Sequence, residues 1–216
     1  MIMPDRAKPD WVSEFHVKHG VNTHTLLDLY LQELKERNSQ LNLYSRKTDE
    51  SALAVLLAET GLLFDRIGPG RLIDVGSGNG LLGIPMSICL PERRVVLVES
   101  RAKKAAALFE IKSALDLRNL RVFHGSLDEF MARDREKSDW LLARGFPRIG
   151  ALLDWVKKNA VAGLTLITAK NKIEFALQGL ENLEKKVYNI PWRENLIVAK
   201  ITFVSRETGK KREKHD

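Results

Sequence analysis

Leu72-Ile73-Asp74-Val75-Gly76-Ser77-Gly78-Asn79-Gly80-Leu81-Leu82-Gly83 is the stretch on which the reading of this chain turns. A short apolar run of strand character enters three closely spaced glycines and leaves as a helical pattern over residues 81–90. A bend of this kind brings backbone amides and a helix N-terminus close to a ligand with no Cβ atoms in the way. It predicts a cradle for a nucleotide or cofactor. Two registers compete: Gly78, Gly80 and Gly83 satisfy G-x-G-x-x-G, whereas Gly76, Gly78 and Gly80 give the tighter G-x-G-x-G. The glycines alone do not choose between them.

Asp74 bears on the choice. A carboxylate two residues before the first glycine would repel a pyrophosphate but suits a cationic ligand, and S-adenosylmethionine carries a sulfonium and an ammonium. The tighter register preceded by an acidic residue resembles the first motif of Rossmann-like methyltransferases; dinucleotide enzymes usually place an apolar residue there.

Downstream of the bend, short apolar runs alternate with helical stretches, the pattern of a parallel sheet with helices on its faces. Strands are predicted at 71–75, 95–98, 120–123, 140–143, 164–168 and 197–204, and helices at 81–90, 103–115, 149–159 and 173–180. Upstream, Leu26, Leu27, Tyr30, Leu31 and Leu34 recur at helical spacing, as do Leu53, Leu56, Leu57, Leu63 and Phe64. Thr23 or Thr25 is a candidate cap for the first of these helices. A polar connector, Asn38 through Ser45, is expected between them, and Gly68-Pro69-Gly70 marks a boundary. The fold class is therefore α/β and Rossmann-like, a mostly parallel sheet with an N-terminal helical extension. The divisions are 1–68 for the extension, 69–204 for the methyltransferase domain and 205–216 for a tail bearing Arg206, Lys210, Lys211, Arg212 and Lys214.

Length and composition agree with one main core and an appendage: 216 residues, 44% of them hydrophobic and 29% charged, against a usual ~150 residues per domain. The apolar run 52–58 is far short of the ~18 to 20 residues of a bilayer-spanning helix. Met1 through Arg6 show no signal-peptide pattern, so a cytoplasmic location is expected. The one cysteine, Cys89, excludes an internal disulfide and a multi-thiolate zinc site, and its apolar helical surroundings read as core. His16 and His19 could share a helix face, but no third ligand stands near them, so no metal is expected. A net charge of +7 draws the molecule towards polyanions, although such an excess also serves solubility.

Three further segments carry candidate chemistry. Glu99 closes the apolar run Val95-Val96-Leu97-Val98, where an acidic side chain can accept hydrogen bonds from ribose hydroxyls; this supports an adenosine ligand without separating NAD from S-adenosylmethionine. In Phe123-His124-Gly125-Ser126-Leu127-Asp128-Glu129-Phe130, Asp128 could take an adenine amino group beside Leu127, while Ser126 through Glu129 also reads as a helix start with an N-cap and an acidic first turn. In Trp140-Leu141-Leu142-Ala143-Arg144-Gly145-Phe146-Pro147-Arg148, Arg144 could contact the cofactor or orient a base, and Phe146 offers either a stacking face or a buried ring.

Taken together, these motifs resemble the RsmG (GidB) family. The resemblance runs from about Leu26 to Thr202. It rests on Leu-x-x-Leu-Lys-x-x-Asn ahead of Leu41-Asn42-Leu43, on Asp74 through Gly80 leading to Gly83-Ile84-Pro85, and on His124-Gly125 and Ala143-Arg144. The chain departs from the family pattern at Leu82, usually proline, at Ser126, usually arginine, and at 55–60, where a His-x-x-Asp-Ser-like helix segment is usual. The resemblance implies an S-adenosylmethionine-dependent methyltransferase acting on guanine N7 in small-subunit (16S) ribosomal RNA. Its cofactor positions would be Asp74, Gly76, Gly78, Gly80, Leu81, Leu127, Asp128 and Arg144, with Glu99 at the ribose. Arg144 and Lys170 would face the acceptor. S-adenosylhomocysteine would be the product, ribosomal RNA or the 30S particle the partner, and a monomer the working form, with neither membrane nor metal involved.

RNA contacts are expected from Arg93, Arg94, Arg101, Lys103 and Lys104, from Arg144 and Arg148, and from the C-terminal tail. The alternatives are the same cofactor with another RNA site, a protein or a small molecule as acceptor, a binding module without turnover, and an NAD-dependent oxidoreductase.

Overall fold

The computed structural model describes residues 21–41, 43–45, 50–134, 136, 139–159, 161–178 and 182–203. His16, His19, Asn42 and the basic tail lie outside the described residues. Seven strands form one sheet: β1 (Leu72–Val75), β2 (Val95–Glu99), β3 (Leu120–His124), β4 (Trp140–Arg144), β5 (Gly163–Ala169), β6 (Leu183–Ile190) and β7 (Arg193–Phe203). Their order is β3-β2-β1-β4-β5-β7-β6; the first five are parallel, and β7 runs antiparallel to both β5 and β6. The order reverses between β1 and β4, so a crevice opens beyond their carboxyl ends, where sheets of this kind bind ligands.

The central strands are apolar throughout because both faces of the sheet are covered. Leu72, Leu97, Trp140 and Leu142 point to one face. There they meet α1 (Val21–Leu41), α2 (Glu50–Gly61), α3 (Gly83–Cys89) and α4 (Ala102–Ala114) through Leu27, Tyr30, Leu34, Leu57, Ile84 and Leu108. Ile73, Val98, Leu141 and Leu166 point to the other face, towards α5 (Leu127–Arg133), α6 (Ile149–Lys158) and α7 (Lys170–Ala176). Each fully buried aliphatic or aromatic side chain contributes about 1.5–3 kcal/mol, so these two layers dominate the stability. The N-terminal helices share their core with the sheet, and Cys89 is buried within it.

The predicted strands and helices are present with shifted ends, and the structure differs from the sequence pattern at several of them. α1 continues through Asn38 to Leu41, so the connector is shorter than its polarity suggests: Asn38 is buried, and its Oδ1 accepts a hydrogen bond from the Tyr44 backbone N–H at 2.8 Å. Thr23 and Thr25 lie inside the helix rather than at its cap. β6 has no sequence signature of a half-buried strand, because it is the edge of the sheet and leaves most of its residues exposed. Finally, β7 begins at Arg193 and α7 at Lys170, each earlier than the apolar pattern alone indicates. Among the described residues, no helix is long and apolar enough to cross a membrane.

Candidate active site

The glycine bend sits at the β1–β4 crevice. Gly76, Gly78 and Gly80 have φ of +67°, +60° and +80°, a backbone region that L side chains rarely adopt. Gly83 serves differently: it is the first residue of α3, and a Cβ there would lie 2.1 Å from Leu97 Cδ2, so it lets helix and strand meet. The tighter register is thus the one that shapes the loop.

Side chains from several elements hold this loop. Gly76 N–H and Ser77 N–H donate to Val98 O at 2.9 and 3.2 Å, tying it to β2. Tyr30, fully buried in α1, donates its hydroxyl to Asn79 O at 3.0 Å. Thr60 in α2 donates to Leu81 O at 2.7 Å. Together with the β1 carboxylate, these contacts preform the bend from three sides.

Asp74 is buried at the base of the loop, and its Oδ2 accepts from Gly83 N–H at 3.0 Å. Burial pushes its carboxyl up to about 7, opposed by the Gly83 hydrogen bond, reinforced by the charge of Glu99 and eased by Ser77. An acid held this close to neutrality gains from any cation placed beside it. Asp74, Gly76, Ser77, Gly78, Leu81, Leu82, Leu43, Lys104 and Arg144 all line one open cavity of ≈ 140 Å³.

The remaining expected residues are placed as follows. Gly80 lies in the same loop, with a Cβ there blocked by Ile84 Cδ1 at 2.5 Å. Glu99 is buried beside the loop, where Oε2 accepts from Gly78 N–H and Oε1 from Arg101 N–H, both at 2.8 Å. Its oxygens thus already hold backbone amides, and it does not line the cavity. Leu127 opens α5 half-buried; Asp128 is exposed and accepts a hydrogen bond from the Trp155 indole N–H. Ser126 caps α5 in a reciprocal capping box with Glu129, as the helix-start reading of that segment expected. Lys170 is exposed at the carboxyl end of β5, outside the cavity. Phe146 is half-buried, its ring 3.7 Å from where a Cβ on Gly76 would stand.

The expected basic cluster does not hold together. Arg93 and Arg94 precede β2, whereas Arg101, Lys103 and Lys104 follow it, so the strand separates them to opposite edges of the sheet. Arg93 is partly buried, donating to Gly70 O at 2.6 Å and to Gly68 O, and Arg94 pairs with Glu136 at 2.6 Å. These two serve the amino edge, away from the crevice.

Sequence reasoning missed Tyr30, Glu59, Thr60 and Arg193. Glu59 is fully buried in α2, and its carboxylate bonds both Arg144 and Arg193. The available signal was an acid directly following the apolar run 52–58. Among the described residues, no group of three or more His, Cys, Asp or Glu could hold a metal ion.

A parallel sheet reversing at β1/β4, with a positive-φ glycine loop over a buried acid, defines the Rossmann-like class I S-adenosylmethionine-dependent methyltransferase fold. The same fold is seen in Aeropyrum pernix fibrillarin in complex with natively bound S-adenosyl-L-methionine: TM-score 0.53, 17% identity, 69% of this chain and 74% of that one covered. The sequence profile of the GidB family, rRNA small subunit methyltransferase G, matches residues 23–195, and the chain belongs to that family. Relatives named ribosomal RNA small subunit methyltransferase G include one from Saccharophagus degradans, 34% identical over 130 residues, and one from Hydrogenovibrio crunogenus, 36% identical over 131 residues. Each match covers 60% of this chain, and 57% and 59% of the respective relative's length.

Proposed function

We propose that this chain transfers a methyl group from S-adenosylmethionine to N7 of a guanine in small-subunit ribosomal RNA. The observation that carries the reading is the convergence in one cavity of the glycine loop, the buried Asp74 carboxylate and the Arg144 guanidinium. The loop supplies a cradle that a Cβ would fill, and Asp74, raised by burial to about 7, is an acceptor that a cationic ligand suits. Gly76, Gly78, Gly80 and Leu81 would line the donor, with Asp74 towards its cationic end. Glu99 would serve the ribose through its remaining lone pairs while keeping Gly78 in place, and Leu127 with Asp128 would wall the adenine. Residues 69–204 would form the catalytic unit and residues 1–68 the extension, of which α1 and α2 brace the loop through Tyr30 and Thr60.

S-adenosylmethionine supplies a methyl carbon on a sulfonium. With that group bound, the free lone pair of guanine N7 would take the methyl carbon as the carbon–sulfur bond breaks, leaving a neutral thioether and a positively charged purine. No proton has to leave N7 first, so no general base is needed at the acceptor. The protein's contribution is then alignment and electrostatics. Arg144 and Lys170 would orient the acceptor from the carboxyl ends of β4 and β5. Work on ribosomal RNA would place the protein in the cytoplasm.

The test is incubation with labelled S-adenosylmethionine and undermodified small subunits, followed by digestion of the RNA. Label in 7-methylguanosine is expected. Label in another nucleoside or in protein would reassign the acceptor, and binding of NAD in place of S-adenosylmethionine would overturn the reading.

A further inference from the structure

Glu59 is a buried acid shared by two arginines. Its Oε2 accepts from Arg144 Nη2, and its Oε1 accepts from Arg193 Nε at 2.8 Å. The carboxylate is 0% exposed, against 21% for the Arg144 side chain and 37% for Arg193. Arg144 comes from the carboxyl end of β4. Arg193 reaches the same edge because β7 returns antiparallel to β5, with Leu196 opposite Ala169. One carboxylate between two guanidiniums leaves a single positive charge on the crevice wall.

An arginine alone beside a buried carboxylate tends to take both oxygens in a bidentate fork. Here Arg193 occupies one of them. The Arg144 guanidinium is thereby confined to the other oxygen and to a longer 3.5 Å contact from Nη1 to Leu56 O, and among the described residues its side chain has no further hydrogen bond. Its remaining donors stay available at the cavity that it lines. The adjacent Thr60 holds Leu81 O, so one turn of α2 sets both the arginine and the glycine loop.

We infer that Glu59 is a positioning residue: shared with Arg193, it keeps Arg144 half-engaged and presents it to donor and acceptor. The inference rests on the methyltransferase reading above. Arg193 acts here through Glu59, and its replacement lets Arg144 collapse into a bidentate pair.

The test compares wild type, Glu59→Gln, Glu59→Asp, Arg193→Met and the Glu59→Gln/Arg193→Met double variant. S-adenosylmethionine affinity is measured by calorimetry, turnover on undermodified subunits by label, and folding by thermal melting. In folded Glu59→Gln, turnover falls by about 10- to 100-fold, the scale of loss when a positioned group is misplaced, and cofactor affinity weakens. Glu59→Asp recovers part of the loss. Arg193→Met lowers turnover too, and the double variant is no worse than Glu59→Gln, because the residues act as one unit. A merely structural role would lower melting temperatures and leave affinity and turnover unchanged. Glu59→Gln within about twofold of wild type, or losses that multiply in the double variant, overturn the inference; if Glu59→Gln does not fold, Arg193→Met decides. If wild type binds the cofactor but methylates no ribosomal RNA, the acceptor reading fails and the affinity comparison still judges Glu59. If wild type binds no cofactor, both fall.

Discussion

Asp74 sits where burial and charge oppose each other, and two pH dependences follow. Its folded pKa of about 7 lies above the ordinary 3.8, chiefly through desolvation. Between these values the unfolded chain has released a proton that the folded chain still holds, so this residue's contribution to stability declines as pH rises through the window. A cation binds best to the ionised carboxylate, so S-adenosylmethionine affinity should climb through about pH 7 and level off near 8. Asp74→Asn should weaken binding and flatten that profile, and calorimetry across the range checks it. A profile that still rises in the variant would assign the proton elsewhere. Gly80 gives a steric counterpart: φ of +80° and a Cβ position 2.5 Å from Ile84 Cδ1 mean that Gly80→Val should cost about 2 kcal/mol or more in denaturant melts and abolish cofactor binding.

At the scale of elements, the glycine loop depends on helices far away in sequence. Tyr30 is fully buried, and its hydroxyl spends its hydrogen bond on Asn79 O. Burial, then the nearby Asp74 charge, raises its pKa well above the ordinary value, so it remains a donor across the physiological range. Tyr30→Phe keeps the ring but strands a carbonyl; it should cost about 1 kcal/mol in stability and loosen cofactor binding severalfold, as read by melting and calorimetry. At the opposite edge, Arg71 makes a two-pronged pair with Asp139 at 2.9 and 3.0 Å, joining the starts of β1 and β4. Asp134 also pairs with this guanidinium at 2.9 Å and Glu136 lies 3.3 Å from it, so removing Asp139 leaves the charge partly compensated. Asp139→Ala removes two charge-assisted hydrogen bonds and should therefore destabilise by about 2–3 kcal/mol in denaturant unfolding.

The whole molecule carries a net charge of +7, and the cations flanking β2 divide between the two ends of that strand. Arg101, Lys103 and Lys104 follow β2 towards the crevice, and Arg93 and Arg94 are engaged at the other end. Binding to small-subunit RNA should fall steeply with salt, roughly 50- to 150-fold between 50 and 200 mM if about four phosphates are contacted. Replacing Lys104 should lessen that slope, and replacing Arg94 should not. A filter-binding titration at several salt concentrations distinguishes the two. The alternating apolar runs and the Gly76-Ser77-Gly78-Asn79-Gly80 bend made the parallel sheet, its ligand edge and Asp74 legible without coordinates, since strand burial and positive φ leave their mark on local residue choice. The edge strand β6 left none, because an exposed strand imposes no alternation. The pairing of Glu59 with Arg144 and Arg193 was equally hidden: its members are separated by 85 and 134 positions, and only the closing of α2 and β7 onto one edge brings their charges together. The amino-acid order by itself determined which backbone can bend around a ligand; the tertiary structure decided which distant charges meet there, because a charge pair is set by spatial approach and not by chain neighbours.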